Sequence, residues 1–237
     1  MYALKPKIIA EIGQNHNGDI NLAKELIAAA SEAGADVAKF QIFDAKSLFT
    51  PHNNPWYEYN LKTELSFDQI SELADECKKL KIEFMSSAFD TTRVGWLEKL
   101  GVKAHKIASR SIDDKELARA ILATKKPIIV SLGMWKFDSF PEWLTGEQTS
   151  FLYCVSEYPA PVAKLNLGKV DFSTYGGFSD HSIGIEASCI AMARGARIIE
   201  KHFTLDKDFY GPDHAGSMVP EELSQIVAFA KNVELCL

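Results

Sequence analysis

The sequence predicts one (β/α)8 TIM barrel, an α/β fold, in a single domain. Eight short Ile/Val-rich runs alternate with helical patterns, as strands buried on both faces do. The chain's 237 residues come close to the roughly 250 that such a barrel needs. A doubly wound open sheet is the competing arrangement. Its phosphate turn is missing, because Gly13-Gln14-Asn15-His16-Asn17-Gly18 after the first strand is not GxGxxG, and no GK[ST] follows anywhere.

The elements follow in order. Strand one is Lys7–Gly13. Asp19 or Asn21 caps a helix through Leu22, Leu26, Ile27 and Ala30, which Gly34 ends. Strand two is Val37–Phe43, and a long loop rich in Pro, Asn and aromatics follows over Asp44–Leu65. The next helix covers about Asp68–Leu80. Strand three, Ile82–Ala88, leads into helix Thr91–Leu100, closed by Gly101. Strand four, Ala104–Ser109, leads into helix Asp113–Thr124. Strand five is Pro127–Gly133, and Met134–Thr149 has room for only a short helix. Strand six is Ser150–Tyr158, and its crossover Ala160–Thr174 is also poorly helical. Strand seven is Tyr175–His181, with helix Ile183–Arg194. Strand eight is Ala196–Phe203, and Pro220-Glu221 opens a last helix to about Glu234.

Composition narrows the function classes. Apolar residues at 46% and charged residues at 24% exclude disorder, collagen and coiled coil. A net charge of −6 argues against nonspecific nucleic-acid binding, which needs a basic surface. It leaves an anionic substrate open, since a few local lysines outweigh it. Cys77, Cys154, Cys189 and Cys236 form no CxxC pair and read as reduced core thiols of a cytoplasmic protein. The N-terminus lacks a signal-peptide core, and no apolar run approaches the ~18 residues of a membrane span.

Polar residues interrupt the strands at their C-terminal ends, where barrel enzymes keep their catalytic groups. Glu11 is in step with Ile9, and Lys39 and Gln41 share a face with Val37. Lys106 lies on strand four, which ends at Ser109, and Ser131 closes strand five. Ser179 and His181 share a face, as do Glu200 and His202. Burying two Lys and two Glu is costly unless they pair or meet a charged ligand. His181 and His202 on adjacent strands can share a divalent metal, with coordination places left for water and substrate; a metal-free hydrogen-bonded pair is the bland alternative. Two Lys with several Ser suit a carboxylate plus phosphate. Glu11 and Glu200 suit sugar hydroxyls or proton transfer.

The string Ile9-Ala10-Glu11-Ile12-Gly13-Gln14-Asn15-His16-Asn17-Gly18 resembles the N-terminal signature of the sialic acid synthase family. The resemblance continues through Ala33–Gln41, Lys106-Ile107-Ala108-Ser109, Ser131-Leu132-Gly133-Met134 and Tyr158-Pro159-Ala160-Pro161. It resumes at Ser179–Gly184 and Ile199–Leu205 and ends at Gly211-Pro212-Asp213-His214. So many motifs, in order and over nearly the whole chain, are highly specific. The resemblance implies condensation of phosphoenolpyruvate (PEP) with an amino-sugar aldehyde, N-acetylmannosamine or its 6-phosphate. The products are a 2-keto-3-deoxy sugar acid and phosphate. It implies that His181 and His202 hold Mn2+ or Mg2+, and that Lys39, Lys106, Ser109, Ser131 and Ser179 hold PEP, with Gln41 and Tyr158 close by. Glu11 would meet the sugar and handle protons; Glu200 would orient the sugar or a metal-bound water.

The family's barrel is followed by a small antifreeze-like domain that caps a neighbouring subunit in a swapped homodimer. The sequence here ends at Leu237, so the expectation is a lone barrel, residues 1–237, which either accepts another aldose, borrows a capping domain from a separate protein, or has lost activity. The loop Asp44–Leu65 either covers the mouth in its place or serves packing or a dimer contact. Two other readings stay open: a Schiff-base aldolase or lyase with Lys106 as nucleophile, and a non-catalytic barrel in a polysaccharide pathway.

Overall fold

A computed structural model describes residues 5–236. Eight parallel strands close into a barrel in chain order. They are β1 (Lys7–Gly13), β2 (Val37–Ile42), β3 (Glu83–Ala88), β4 (His105–Ile107), β5 (Ile128–Ser131), β6 (Thr149–Cys154), β7 (Gly177–Asp180) and β8 (Ile198–His202), the last pairing with β1.

The helices around it start where capping chemistry puts them. For α1 (Ile20–Glu32) the Asp19 carboxylate accepts from the Asn21 and Leu22 N–H groups. Two short helices, α2 (Ala45–Leu48) and α3 (Tyr57–Thr63), follow β2. Ser66 and Gln69 form a capping box at the start of α4 (Phe67–Lys79). Asp90 caps α5 (Thr91–Leu100), which Gly101 ends in the left-handed conformation. Asp114 caps α6 (Lys115–Ala123). The ring is completed by α7 (Glu186–Ala193) and α8 (Pro220–Cys236).

After β5 the crossover contains only the 3-10 turn Glu142–Leu144, and after β6 only Val162–Lys164 and Leu167–Lys169. Pro141, Pro159 and Pro161 break any helix there. Trp135, Phe140 and Trp143 cover the sheet instead, packing on the core. The shortened wall expected after strands five and six is therefore present.

Several expected boundaries move; strand five ends at Ser131 and strand seven at Asp180, so Gly133 and His181 stand just beyond them. Strand four ends at Ile107, and Ser109 opens the 3-10 turn Ser109–Ser111. Strand six ends at Cys154, so Tyr158 stands on the loop beyond it. Asp44–Leu65 is not an open loop, since it folds into α2 and α3. Asp44 caps α2, and Tyr59, Asn60 and Thr63 are buried. The Tyr59 hydroxyl donates 2.8 Å to the Gln14 carbonyl and contacts Asn17 Oδ1 at 2.7 Å. The segment thus packs on the turn after β1, as the packing reading expects, and none of its residues lines the cavity at the mouth.

The core has two parts. Ile9, Val37, Met85, Ala104, Ile129 and Leu152, with Ile198, fill the barrel interior. A larger cluster, including Leu26, Phe40, Ile70, Leu97, Ile121, Phe178 and Ile226, lies between strands and helices. No described helix is long and apolar enough to cross a membrane. All four cysteines are free thiols; Cys77 and Cys154 are buried, but Cys189 is half-buried and Cys236 exposed, so not every one is a core thiol.

Candidate active site

Moving two residues up each strand from the apolar interior layer changes its chemistry. Ile9 is followed by Glu11, Val37 by Lys39, Met85 by Ser87 and Ala104 by Lys106. Ile129 is followed by Ser131, Leu152 by Cys154 and Ile198 by Glu200. Ser179, paired with Glu200 across β7 and β8, completes the ring. Alternate strand residues face the same side, so a plug of hydrocarbon carries a floor of ionic and hydroxyl groups. One further step up stand Gln41, His181 and His202. The floor and walls enclose a cavity of about 400 Å³ at the C-terminal mouth, within the range of small-molecule sites.

The floor is an ion network. Lys39 Nζ lies 2.7 Å from Glu11 Oε2, 3.4 Å from Glu200 Oε2 and 3.2 Å from Ser87 Oγ. Lys106 Nζ donates to Ser131 Oγ at 2.7 Å and lies 3.4 Å from Glu200 Oε1. Ser179 Oγ donates to the same Glu200 oxygen at 3.0 Å, and Gln41 donates to Glu11 Oε1 at 2.9 Å. Burial works against ionised Glu200, but Lys106, Lys39 and the Ser179 hydroxyl outweigh it and hold the carboxyl well below the usual carboxylate range. Burial also opposes charge on Lys39, yet Glu11 and Glu200 push its pKa above the ordinary lysine value. Lys106 comes out the other way. Burial lowers it, Glu200 compensates only in part, and Lys39 adds repulsion. Lys106 is therefore short of negative partners.

β1 carries an irregularity between Glu11 and Gly13, and Gly13 has φ +56°. A Cβ there would lie 3.3–3.4 Å from Gln41 Nε2, Glu11 Oε1 and His202 Cε1. Glycine satisfies both the left-handed backbone and this close approach.

The imidazole rings of His181 and His202 lie 5.9 Å apart. His181 Nδ1 donates to the Val155 carbonyl at 2.9 Å, so in the neutral ring the lone pair is on Nε2. The Tyr158 hydroxyl donates to that lone pair at 3.0 Å, and the two rings stack 4.1 Å apart. His202 Nδ1 is buried without a hydrogen-bond partner, 4.0 Å from Asp213 Oδ2. A ring fixed by a backbone carbonyl, an orphaned buried nitrogen and a nearby carboxylate together fit a divalent cation chemically. Among the described residues no group of three or more His, Cys, Asp or Glu is gathered as a closed metal cage.

All eleven residues expected at the mouth converge there. Ser109 is tied on both sides, accepting from the Gly133 N–H at 3.1 Å and donating to Cys154 Sγ at 3.8 Å. Ser87, Asp213, Ser156, Arg110 and Cys154 were missed. Ser87 and Cys154 obey the two-residue step that marks Glu11 and Lys39, so the signal was present in the strands. Cys154 Sγ lies 3.7 Å from His181 Nδ1, so a buried thiol stands beside the histidine pair. Burial raises its thiol, but His181, the Ser109 hydroxyl and Lys106 bring it below the ordinary value.

Fold and site define a barrel enzyme with an ionic floor beneath a histidine pair. The chain belongs to the NeuB family, which it matches over residues 26–237, and is a sialic acid synthase-like enzyme. It is 38% identical over 256 residues to the N,N'-diacetyllegionaminic acid synthase of Campylobacter jejuni, covering 97% of this chain and 77% of that protein. It is 34% identical over 255 residues to the N-acetylneuraminate-9-phosphate synthase of Homo sapiens, covering 97% and 70%. Among solved structures, the N-acetylneuraminic acid synthetase of Leptospira borgpetersenii, in complex with citrate, superposes with a TM-score of 0.89 at 30% identity, covering 98% of this chain and 85% of that one.

Proposed function

We propose that this chain condenses PEP with an N-acetylmannosamine-like aldehyde, in a reaction that depends on a divalent metal, to give a 2-keto-3-deoxy sugar acid such as N-acetylneuraminate and free phosphate. The observation that carries this reading is Lys106. It is a buried lysine that shares Glu200 with Lys39 and donates to the Ser131 hydroxyl, and Ser87 and Ser179 line the same cavity. A small, highly charged anion supplies what that floor lacks.

In this reading Lys39 and Lys106, with Ser87, Ser109, Ser131 and Ser179, hold the carboxylate and phosphate of PEP through charge-assisted hydrogen bonds. They also stabilise the charge that builds up on both groups. His181 and His202 would hold Mn2+ or Mg2+, which when bound supplies Lewis acidity toward the aldehyde oxygen. C3 of PEP attacks the aldehyde carbon, water adds at C2, and phosphate leaves. Glu11, held by Gln41 and Lys39, would contact the sugar and move a proton at its hydroxyl. Glu200 orients the two lysines, and Tyr158 lies over the histidine pair.

The test is phosphate release from PEP with N-acetylmannosamine and Mn2+, with mass spectrometry of the keto acid. Sustained PEP binding without any condensation across neutral and phosphorylated hexosamines would reject the reaction. The lowered pKa of Lys106 keeps one rival open, a Schiff base with a keto acid. Borohydride trapping with pyruvate decides it, since a PEP-condensing enzyme forms no adduct at Lys106.

A further inference from the structure

We infer that Arg110 recognises an anionic oxyacid group, a phosphate monoester or a carboxylate, at the far end of the second substrate. The inference rests on the condensation reading above and specifies its aldehyde.

Arg110 follows Ser109 in the turn that leaves β4, and it lines the mouth of the cavity beside Phe89 and Met134. Its guanidinium carbon lies 4.8 Å from the centre of the Phe49 ring and 6.0 Å from that of Phe89. The other cations lining the cavity each have a carboxylate: Lys39 has Glu11 and Glu200, Lys106 shares Glu200, and Lys201 has Asp180 at 3.2 Å. Among the described residues no carboxylate comes within ion-pair distance of Arg110. Its pKa is lowered by partial burial alone, with no neighbouring charge contributing.

Stacking uses the faces of a guanidinium and leaves its in-plane N–H groups free. Two aromatic rings therefore hold Arg110 in place without neutralising it. A fork fixed in this way is suited to two parallel hydrogen bonds from one oxyacid group. An anion gains from that unpaired charge, and a neutral hydroxyl does not.

Depth separates this group from PEP. Lys39 and Lys106 are each 2% exposed, on the floor with the serines that suit a three-carbon ligand. Arg110 is exposed at the lip, a level higher, on the β3–β4 side. Above PEP, the longer molecule fills the mouth, and its tail is what reaches the lip. The distal carbon of a hexose-sized aldehyde is thus the position that carries the anion.

The test uses the full chain with PEP and Mn2+. Calorimetry measures binding of three alditols that lack the aldehyde and cannot condense: N-acetylmannosaminitol, its 6-phosphate and its 6-carboxylate. The wild type is expected to bind an anionic alditol at least tenfold more tightly than the neutral one, and the stronger of the two identifies the group. Arg110→Met should remove that advantage while leaving PEP and the neutral alditol within twofold; Arg110→Lys should restore part of it. Equal affinities for all three, no binding of any, or an advantage that survives Arg110→Met overturns the inference. Loss of PEP affinity in Arg110→Met assigns the residue to PEP and overturns it equally. If the wild type binds no PEP, the condensation reading itself fails; if PEP binds and the alditols do not differ, only the role of Arg110 fails.

Discussion

Lys39 and Glu11 occupy directly paired positions of β1 and β2, their charged atoms are 2.7 Å apart, and neither side chain is more than 4% exposed. Such a pair gives little net stability compared with hydrocarbon, because both ions lose their water. Its presence two residues above Ile9 and Val37 marks where the barrel stops being core and becomes a site.

Removing one member is therefore expensive. Lys39→Met leaves Glu11 and Glu200 buried beside a single remaining lysine. Loss of one partner of a buried pair costs about 3–5 kcal/mol. Urea denaturation should show a loss of that order, and Glu11→Gln, which keeps Lys39 beside Glu200, should cost less. A Lys39→Met variant as stable as its parent would mean that the floor is not an ion network.

Lys106 is expected to bind ligand more than it stabilises the fold. A hydrogen bond to a charged group contributes about 1.5–3 kcal/mol, so Lys106→Met should weaken PEP binding by roughly tenfold or more. Calorimetric titration with PEP checks this. Unchanged affinity would place the anion elsewhere in the cavity.

For the histidine pair, His202→Ala should lower Mn2+ affinity and metal-dependent turnover while the melting temperature stays near that of the parent. The ring lies at the rim of the barrel, and its Nδ1 has no hydrogen-bond partner to lose. Direct Mn2+ titration monitored by electron paramagnetic resonance reads the affinity independently of catalysis. If the variant binds Mn2+ as the wild type does, the assignment of the pair is wrong.

The barrel and most of its mouth were legible because one rule covers both. Period-two strands put Glu11 over Ile9, Lys39 over Val37 and Glu200 over Ile198, and charged residues in step with core residues have few explanations. The same rule points to Ser87 over Met85 and Cys154 over Leu152, but Ser and Cys are tolerated in cores and carry no such alarm. Asp213 and Arg110 were hidden for a different reason. They sit on loops, where no periodicity relates sequence position to direction, and only the folded chain brings Asp213 to His202 or lays Arg110 on Phe49 and Phe89. The fold of Asp44–Leu65 was obscured likewise, since Pro and Asn read as breakers while Tyr59 finds its partners in Gln14 and Asn17.

His16 provides a test of folding linked to pH. It is fully buried, its Nδ1 accepts from the Gly18 N–H at 3.1 Å, and its Nε2 has no partner. Burial lowers its pKa from 6.5 to about 4. The unfolded chain therefore takes up a proton at this residue near pH 6.5, whereas the folded chain resists it until about pH 4. Between those values the unfolded state holds more protons, so stability falls as the pH is lowered through the window. Each tenfold loss of proton affinity on folding is worth ~1.4 kcal/mol, which makes the full effect about 3 kcal/mol. His105 and His214 are also lowered by burial and add to the slope, so the comparison must be with a variant. His16→Gln keeps a polar side chain but cannot titrate. Its unfolding free energy, measured by urea at intervals from pH 7 to pH 4, should decline less steeply than the wild type's, with the two curves converging by about 3 kcal/mol at the acid end. Parallel curves would show that the buried ring is protonated in the folded state as readily as in the unfolded one.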